Sequence, residues 1–411
     1  MSKALEPYLK LMSAKGASDL YFTTGALPSM KIQGKLTPVS QQKLLPGMVK
    51  KLAYGILSQK KIEEFEKELE MDIGLGIPDI GRYRINIYMQ RGEVSMVIRF
   101  IKSEIPSIEA LALPLILKKI ILNKTGLVLA AGSTGSGKST ALAAMIDYRN
   151  ASHAGHILTI EDPIEYVFSH KKSIVGQREI GLDTHSYKNA LREAMRETPD
   201  LIMIGEIRDA DTMEAAITYA DTGHLCVSTL HAVNANQALD RIINLFSAKQ
   251  QNQILMDLSL NLRAIVSLRL VNKKEGGRIA AVEILLNTPY IAEFIRQGDF
   301  HKIKESMEKG AQQGMQSFDQ ALFDLYKHGK IELEEALNNA DSRTNLEWKI
   351  NFGGGTNSDS KNKDEGTGNS LDFPQTNIPA QTGQNKRNKI MPVENNDLPV
   401  LDASTLDTEV K

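Results

Sequence analysis

Hydrophobic and polar residues alternate along parts of the first hundred residues. The clearest case is RYRINIYMQ at residues 82–90, whose period of two indicates a β-strand with one buried face. Its apolar face would carry Tyr83, Ile85, Ile87 and Met89. Helical segments at the start of the chain and over residues 44–69, with strand-like segments around them, predict a small α+β domain over residues 1–100.

From about residue 110 the strand-like segments are apolar on both faces. Four of them, each followed by a helical stretch, are residues 126–131, 156–162, 200–206 and 224–230. Strands of this kind predict a mainly parallel sheet covered by helices. We therefore expect an α/β protein with a second domain over residues 110–349, joined to the first by a linker at residues 101–109.

The pattern changes again after about residue 350. Residues 350–411 are rich in Asn, Gly, Ser, Asp and Thr and contain few apolar residues. Such a segment cannot bury enough surface to offset its ordering entropy, so we expect a disordered tail.

Composition and charge narrow the class of protein. The 42% apolar and 24% charged residues are typical of a globular protein, and 49 basic against 50 acidic residues give no overall field for nucleic acid or anionic lipid. The single cysteine, Cys226, cannot form an internal disulfide. No apolar stretch reaches the roughly eighteen residues that cross a bilayer, and the first residues lack the core of a signal peptide. We expect a cytoplasmic protein with peripheral membrane contact at most and no nucleic-acid partner.

The run GSTGSGKS at residues 132–139 lies between an apolar strand and a helical stretch. In this context it predicts a phosphate-binding P-loop, whose backbone N–H groups point at phosphate oxygens, and an incidental glycine-rich turn is the weaker alternative. Lys138 would neutralise the β and γ phosphates of ATP, and the Ser139 hydroxyl would hold Mg²⁺. The predicted nucleotide-binding residues are Gly132, Ser133, Thr134, Gly135, Ser136, Gly137, Lys138, Ser139 and Thr140.

Acidic residues follow two of the apolar strands. In DLIMIGEIRD the carboxylate nearest the end of the strand is Glu206, which we expect to polarise the attacking water. Asp200, at the other end of that strand, we expect to be structural. Glu161 and Asp162 end another strand, where they would either reach the magnesium shell or the nucleophile, or face solvent.

Two histidines, His224 and His231, flank the strand at residues 224–230. A zinc site with Cys226 is excluded because no fourth ligand is evident. His231, at the end of the strand, would either sense the γ-phosphate or be an ordinary polar residue.

Four motifs, in order, resemble the Walker A, Asp, Walker B and His boxes of the type II/IV secretion ATPases. They are GSTGSGKS, TIEDPIEY, GEIRD and TGHLCVSTLHA. Within that superfamily, residues 1–345 are most similar to the pilus retraction ATPases of the PilT and PilU type, and segments such as MIDYRN and NQALDRIINLF favour the PilU type. Extension ATPases of this superfamily usually carry a four-cysteine zinc motif. A chain with a single cysteine does not contain that motif, which places it on the retraction side.

The resemblance implies roles for individual residues. Glu161 would be the Asp-box acid, near Mg²⁺ through ATP and water, Glu206 the Walker B glutamate, and His224 and His231 the catalytic His-box pair. Four arginines of the first domain would reach nucleotide as the two domains close, and we expect two of them to touch phosphate. These are Arg82, Arg84, Arg91 and Arg99.

The resemblance also implies an assembly. A PAS-like first domain and a RecA-like second domain would form a homo-hexamer, peripheral at the inner membrane, that drives a pilus platform protein beside a PilT-like ATPase. An accessory nucleotide-binding ring protein is one alternative, and a DNA-translocating ATPase is a weaker one, because no basic stripe is evident. The segment at residues 292–303 only partly matches the corresponding PilT signature, and Leu268 stands where a polar residue is expected.

Overall fold

A computed structural model of the chain describes residues 4–32, 34–77, 80–101 and 104–352. The strands of these ranges are β1 (Asp19–Phe22), β2 (Ser29–Ile32), β3 (Lys35–Pro38), β4 (Glu70–Ile77), β5 (Gly81–Gln90), β6 (Glu93–Ile101), β7 (Gly126–Ala131), β8 (His156–Glu161), β9 (Ile174–Glu179), β10 (Leu201–Ile204), β11 (Leu225–Leu230), β12 (Leu262–Asn272) and β13 (Arg278–Leu286). The α-helices are α1 (Glu6–Ala14), α2 (Met48–Tyr54), α3 (Gln59–Glu68), α4 (Ile116–Ile121), α5 (Lys138–Ser152), α6 (Tyr187–Ala194), α7 (Ala210–Asp221), α8 (Ala235–Ile243), α9 (Ala248–Asn261), α10 (Pro289–Gln297), α11 (His301–Lys309), α12 (Phe318–Lys327), α13 (Leu333–Asn338) and α14 (Arg343–Phe352).

The first sheet is antiparallel, and its strands stand in the order β3-β2-β1-β6-β5-β4. Alternation along β5 buries Tyr83, Ile85 and Ile87 completely. They pack in one core with residues of α1 and α2. Met89 was also expected on the buried face, but it is 36% exposed, because it lies close to the turn where β5 leaves the core.

The single helix expected over residues 44–69 is wrong, because the structure has two helices there. α2 ends at Tyr54 with Gly55 as its C-cap, and α3 begins after Ser58. The Ser58 hydroxyl accepts a hydrogen bond from the Lys61 backbone N–H, which satisfies a donor at the start of α3. A glycine and a capping serine three residues later therefore divide the helical pattern.

The second sheet has the strand order β13-β12-β7-β11-β10-β8-β9. All neighbours are parallel except β12 and β13, so the expected mainly parallel sheet is confirmed. Every residue of β7, β10 and β11 is buried, since separate hydrophobic cores cover the two faces. The outer strands β9, β12 and β13 were not singled out in the sequence.

The parallel order brings the ends of four strands to one edge of the sheet. Ala131 of β7 is level with Leu230 of β11, and Ile204 of β10 is level with Ile160 of β8. The segments that follow these strands carry the P-loop, the acidic motif, Glu206 and His231. In open α/β sheets this edge is where ligands bind.

Helices α12, α13 and α14 form a further small core with β12 and β13. α14 continues through residues 350–352, which we had assigned to the tail. The rest of the expected disordered tail, residues 353–411, lies outside the described residues. Each described helix is too short or too polar to span a lipid bilayer.

The fold predicts a measurable contribution from one buried tyrosine. The Tyr83 hydroxyl donates a hydrogen bond of 2.9 Å to the Leu9 carbonyl oxygen and so joins β5 to α1. We expect Tyr83→Phe to lower the free energy of unfolding by about 1–2 kcal/mol in urea denaturation, because the buried carbonyl loses a partner. Tyr88→Phe, on the less buried face of the same strand, is the control and should change it by less than about 0.5 kcal/mol. Equal effects of the two substitutions would contradict the assignment.

Candidate active site

The P-loop joins β7 to α5, and Gly132 is the residue that lets it turn. Gly132 has a φ of 154°, and a Cβ there would lie 2.2 Å from the Ser136 hydroxyl oxygen and 2.8 Å from the Leu268 carbonyl oxygen. A side chain at this position is therefore excluded. The loop ends at Gly137, the N-cap of α5, so the positive end of the helix dipole faces the loop.

The ammonium group of Lys138 lies inside this loop. Its Nζ donates hydrogen bonds to the carbonyl oxygens of Gly132 (2.8 Å) and Ser133 (2.9 Å). Burial lowers the pKa of Lys138, and the negative charges of Glu206 and Glu165 partly oppose that effect. A phosphate group beside this lysine would stabilise its charged form.

A cleft of about 270 Å³ opens in front of the P-loop. It brings together residues of all four motifs recognised in the sequence. Its lining residues are Thr134, Gly135, Lys138, Ser139, Glu161, Asp162, Pro163, Glu165, Tyr187, Met203, Gly205, Glu206, Arg208, Thr229 and His231. The cleft is therefore a site where a lysine, a hydroxyl group and carboxylates converge.

Glu206 is held in the cleft by two basic side chains. Its Oε2 lies 3.2 Å from Nε2 of His231, and its Oε1 contacts Arg208, which also lies 3.9 Å from the carboxylate of Asp162. The backbone beneath it is fixed because Thr229 donates its hydroxyl to the Gly205 carbonyl oxygen at 2.7 Å. Of the two alternatives for His231, the geometry favours a site residue.

Glu161 occupies the buried end of the same cleft. Its side chain accepts hydrogen bonds from the Thr159 hydroxyl (2.6 Å) and the Gln177 amide (3.2 Å), and the residue is only 6% exposed. Burial raises the pKa of Glu161 to about 7. The solvent-facing alternative is therefore wrong for Glu161, whereas Asp162 and Glu165 line the cleft but are exposed.

The oxygen donors of the cleft fit a magnesium ion. Ser139, Glu161 and Glu206 all line this cavity. Carboxylate and hydroxyl oxygens beside a phosphate site are the ligands that Mg²⁺ takes in such proteins. The residues present therefore suit Mg²⁺ carried with a nucleotide.

His224 does not lie in this cleft. It precedes β11, whereas His231 follows it, so along the strand the two are roughly 20 Å apart. The His224 ring nitrogen Nδ1 lies 3.2 Å from the Thr222 hydroxyl and 3.3 Å from the Tyr219 carbonyl oxygen. His224 therefore lies outside the cleft of this chain, and its catalytic role stays a prediction. Asp200, at the same edge, accepts a hydrogen bond of 2.7 Å from the His156 backbone N–H, which is a structural contact.

The four arginines of the first domain lie outside the cleft in this chain. Arg84 pairs with Asp72 at 2.7 Å, and Arg99 pairs with Asp19 at 2.9 Å. Arg91 lies in the exposed turn between β5 and β6 with a φ of 54°. A contact of these residues with nucleotide remains a prediction.

Arg82 differs from the other three because it contacts the second sheet. Its guanidinium lies 3.7 Å from Oε2 of Glu179, at the end of β9. The same oxygen accepts a hydrogen bond of 3.2 Å from the Ile164 backbone N–H, in the loop after Glu161. The first domain is thereby connected to the acidic loop of the cleft.

A second cavity of about 390 Å³ also borders the P-loop, since Gly137 and Thr140 line it. Its lining is mostly apolar and includes Leu268, Leu270 and Ile279. An apolar slot beside a phosphate loop suits a planar base. In the sequence, Leu268 stood out only as an apolar residue where a polar one was expected. Its place in the lining of this cavity could not be predicted from its position along the chain.

The fold and the site define a P-loop protein of a known family. Residues 3–337 match the family described as Type II/IV secretion system protein, and the chain belongs to that family. Among individual relatives, it is 49% identical to the "Type IV pilus ATPase PilU" of Pseudomonas aeruginosa over 86% of this chain and 93% of that protein. It is 39% identical to the "Type IV pilus retractation ATPase PilT" of the same organism, over 81% of this chain and 96% of that one.

Solved structures agree with the sequence relatives. The crystal structure of the pilus retraction motor PilT with bound ADP superimposes with a TM-score of 0.78 and 40% identity, covering 84% of this chain and 99% of that one. The ATPase DotB of Legionella pneumophila superimposes with a TM-score of 0.70 at 26% identity, over 81% of this chain and 93% of that one. The resemblance to the PilT and PilU type is therefore confirmed.

The raised pKa of Glu161 predicts a pH-dependent effect on stability. Between its ordinary pKa of 4.5 and about 7, the unfolded chain releases this proton while the folded chain keeps it, so stability is lost as the pH rises through that range. We expect Glu161→Gln to remove this loss. The measurement is urea denaturation of the nucleotide-free protein. Relative to the wild type, we expect Glu161→Gln to raise the free energy of unfolding by on the order of 2–3 kcal/mol more at about pH 8 than at about pH 5.

The control for this measurement is Glu347→Gln, an exposed carboxylate on α14. It should show no such difference between the two pH values. A pH-independent effect of Glu161→Gln would mean that the Glu161 carboxyl is not held protonated by burial.

Proposed function

We propose that this protein is an ATP-hydrolysing motor subunit that powers retraction of type IV pili. The observation that carries the proposal is that Lys138, in the segment after β7, and Glu206, in the segment after β10, line one cleft at the same edge of the parallel sheet. The resemblance to the PilU and PilT proteins named above supports the pilus as the structure on which it acts. ATP is the substrate and Mg²⁺ its cofactor.

Each residue of the cleft has a separate role in the proposed hydrolysis. Backbone N–H groups at the start of α5 and the ammonium of Lys138 bind the phosphates of ATP. The Glu206 carboxylate orients the attacking water and accepts its proton, and His231, 3.2 Å away, holds that carboxylate in place. Mg²⁺ would be held by Ser139 and, through water, by Glu161, and it neutralises charge on the phosphates.

The assembly that we propose is a homo-hexameric ring, peripheral at the cytoplasmic side of the inner membrane. In such a ring, closure of a first domain brings arginines to bound nucleotide, and an arginine of this kind contributes about 10³ to 10⁵ in rate. Arg82 already contacts a residue of the second sheet, Glu179. The ring would act on a pilus platform protein, together with a PilT-like ATPase.

A second candidate function is that of an accessory ring protein, which binds nucleotide and regulates a principal motor. What favours it is that the relative with 49% identity is named a type IV pilus ATPase without mention of retraction, whereas the relative named for retraction is 39% identical. Retraction in cells that lack the PilT-like ATPase separates the two functions. A motor that acts alone retracts pili in those cells, whereas an accessory protein does not.

Two substitutions separate nucleotide binding from hydrolysis. We expect Lys138→Ala to reduce ATP affinity by at least about tenfold, because a buried phosphate contact is lost. We expect Glu206→Gln to keep ATP affinity and lower kcat by roughly 10² or more, because the general base is lost. Calorimetric binding and phosphate release measure the two effects on the purified protein.

Glu347→Gln, an exposed carboxylate on α14 far along the chain, serves as the control and should leave both quantities unchanged. Undiminished hydrolysis by Glu206→Gln would refute the role of Glu206. Undiminished ATP affinity of Lys138→Ala would refute the site itself.

A further inference from the structure

Tyr187 lines the catalytic cleft, and the roles proposed for Lys138, Glu206 and His231 do not involve its hydroxyl group. Tyr187 is the first residue of α6, and its N-cap Ser186 accepts a hydrogen bond from the Asn189 backbone N–H. The ring packs against the hydrophobic core, and the side chain lines the cleft that holds Lys138 and Glu206. The hydroxyl is therefore carried into the site on a capped helix with its ring fixed by packing.

This hydroxyl is buried and, among the described residues, it makes no hydrogen bond to a protein group. Leaving a buried hydroxyl without a partner costs about 1–3 kcal/mol, and most such groups in proteins are paired. Each unpaired group therefore requires an explanation, and a ligand bound in the cleft that Tyr187 lines would supply the missing partner.

The neighbouring strand end leaves room for the hydroxyl. A Cβ on Gly205 would lie 2.9 Å from the Tyr187 oxygen, closer than side-chain carbons approach such atoms. Gly205 directly precedes Glu206 in the chain. The Tyr187 hydroxyl can therefore lie at this position because Gly205 has no side chain.

The charges around the hydroxyl favour a donor over an acceptor. The carboxylates of Asp162, Glu206 and Glu161 all act on Tyr187, and only Arg208 opposes them. Burial, the largest effect, and these carboxylates raise the pKa of Tyr187, so the group keeps its proton at neutral pH. A neutral O–H in this position can donate to an anionic oxygen that enters the cleft.

We propose that the Tyr187 hydroxyl donates a hydrogen bond to an oxygen of the terminal phosphoryl group of bound ATP and strengthens that bond as the group is transferred. This inference rests on the proposed function, since it assigns a further substrate-contacting residue to the same cleft. A donor aimed at developing charge acts on the transition state more than on the bound substrate. The phosphoryl group supplies the partner that the protein does not.

Tyr187→Phe removes the oxygen and keeps the ring. Two ligands are compared by calorimetry on the full chain: Mg·ADP, which lacks the terminal group, and Mg·ADP with orthovanadate, which mimics the group in transfer. We expect the affinity for Mg·ADP to change by less than about twofold and the affinity for the vanadate complex to fall roughly tenfold or more. In turnover, kcat should fall by a similar factor while KM stays within about twofold.

A structural role would show a different pattern, and Tyr219→Phe provides the comparison. The Tyr219 hydroxyl is buried beside the same helix α6 and donates to the Leu191 carbonyl oxygen. Its loss should lower the melting temperature without changing the ratio of vanadate to ADP affinity. Tyr187→Phe should leave the melting temperature of the nucleotide-free protein unchanged or higher, because its hydroxyl has no protein partner to lose.

The outcomes separate this inference from the proposed function. Equal loss of affinity for both ligands, or no loss for either, in Tyr187→Phe would overturn the role of Tyr187 while the wild type still binds Mg·ADP. A wild type that binds neither ligand would instead overturn the proposed function. A lower melting temperature with an unchanged affinity ratio would make Tyr187 structural.

Discussion

The parallel register of four central strands is the constraint on which the rest of the structure depends. β7, β11, β10 and β8 are neighbours in one sheet, and pairing without a shift brings their carboxyl ends to the same edge. The backbone of these strands is buried, so sliding one strand would break a ladder of hydrogen bonds and displace a packed side-chain layer. The relative positions of the P-loop and the carboxylates of the cleft therefore follow from the pairing of these strands.

This constraint explains why charged groups can be kept close in the cleft. Burial makes the charged forms of both Lys138 and Glu161 less favourable, so the pKa of the lysine is lowered and that of the acid is raised. In the proposed function, a nucleotide with Mg²⁺ would supply both an anion for the lysine and a cation for the carboxylates.

Much of this could be predicted from the sequence, for identifiable reasons. Apolar strands are visible in β7, β8, β10 and β11 because both of their faces are buried, and glycine and lysine spacing marks the P-loop. The break between α2 and α3 was missed because helical periodicity continues across Gly55. The position of Met89 was wrong because alternation does not show where a strand leaves the core.

Other features depend on contacts between distant segments. His224 and His231 are close in the sequence, but a strand separates them and sends them to opposite edges of the sheet. The position of Tyr187 could not be predicted, because α6 carries its hydroxyl to Gly205, which belongs to a different segment. The partners of Arg82 and Arg99 likewise come from other strands, and spacing along one strand could not identify them.

The most direct test is an experimental structure of the full chain with Mg²⁺ and a non-hydrolysable ATP analogue. We predict that Lys138 leaves the carbonyl oxygens of Gly132 and Ser133 and contacts the β and γ phosphates. The Glu206 carboxylate should face the terminal phosphorus. A nucleotide bound elsewhere, or one whose terminal phosphate points away from Glu206, would contradict it.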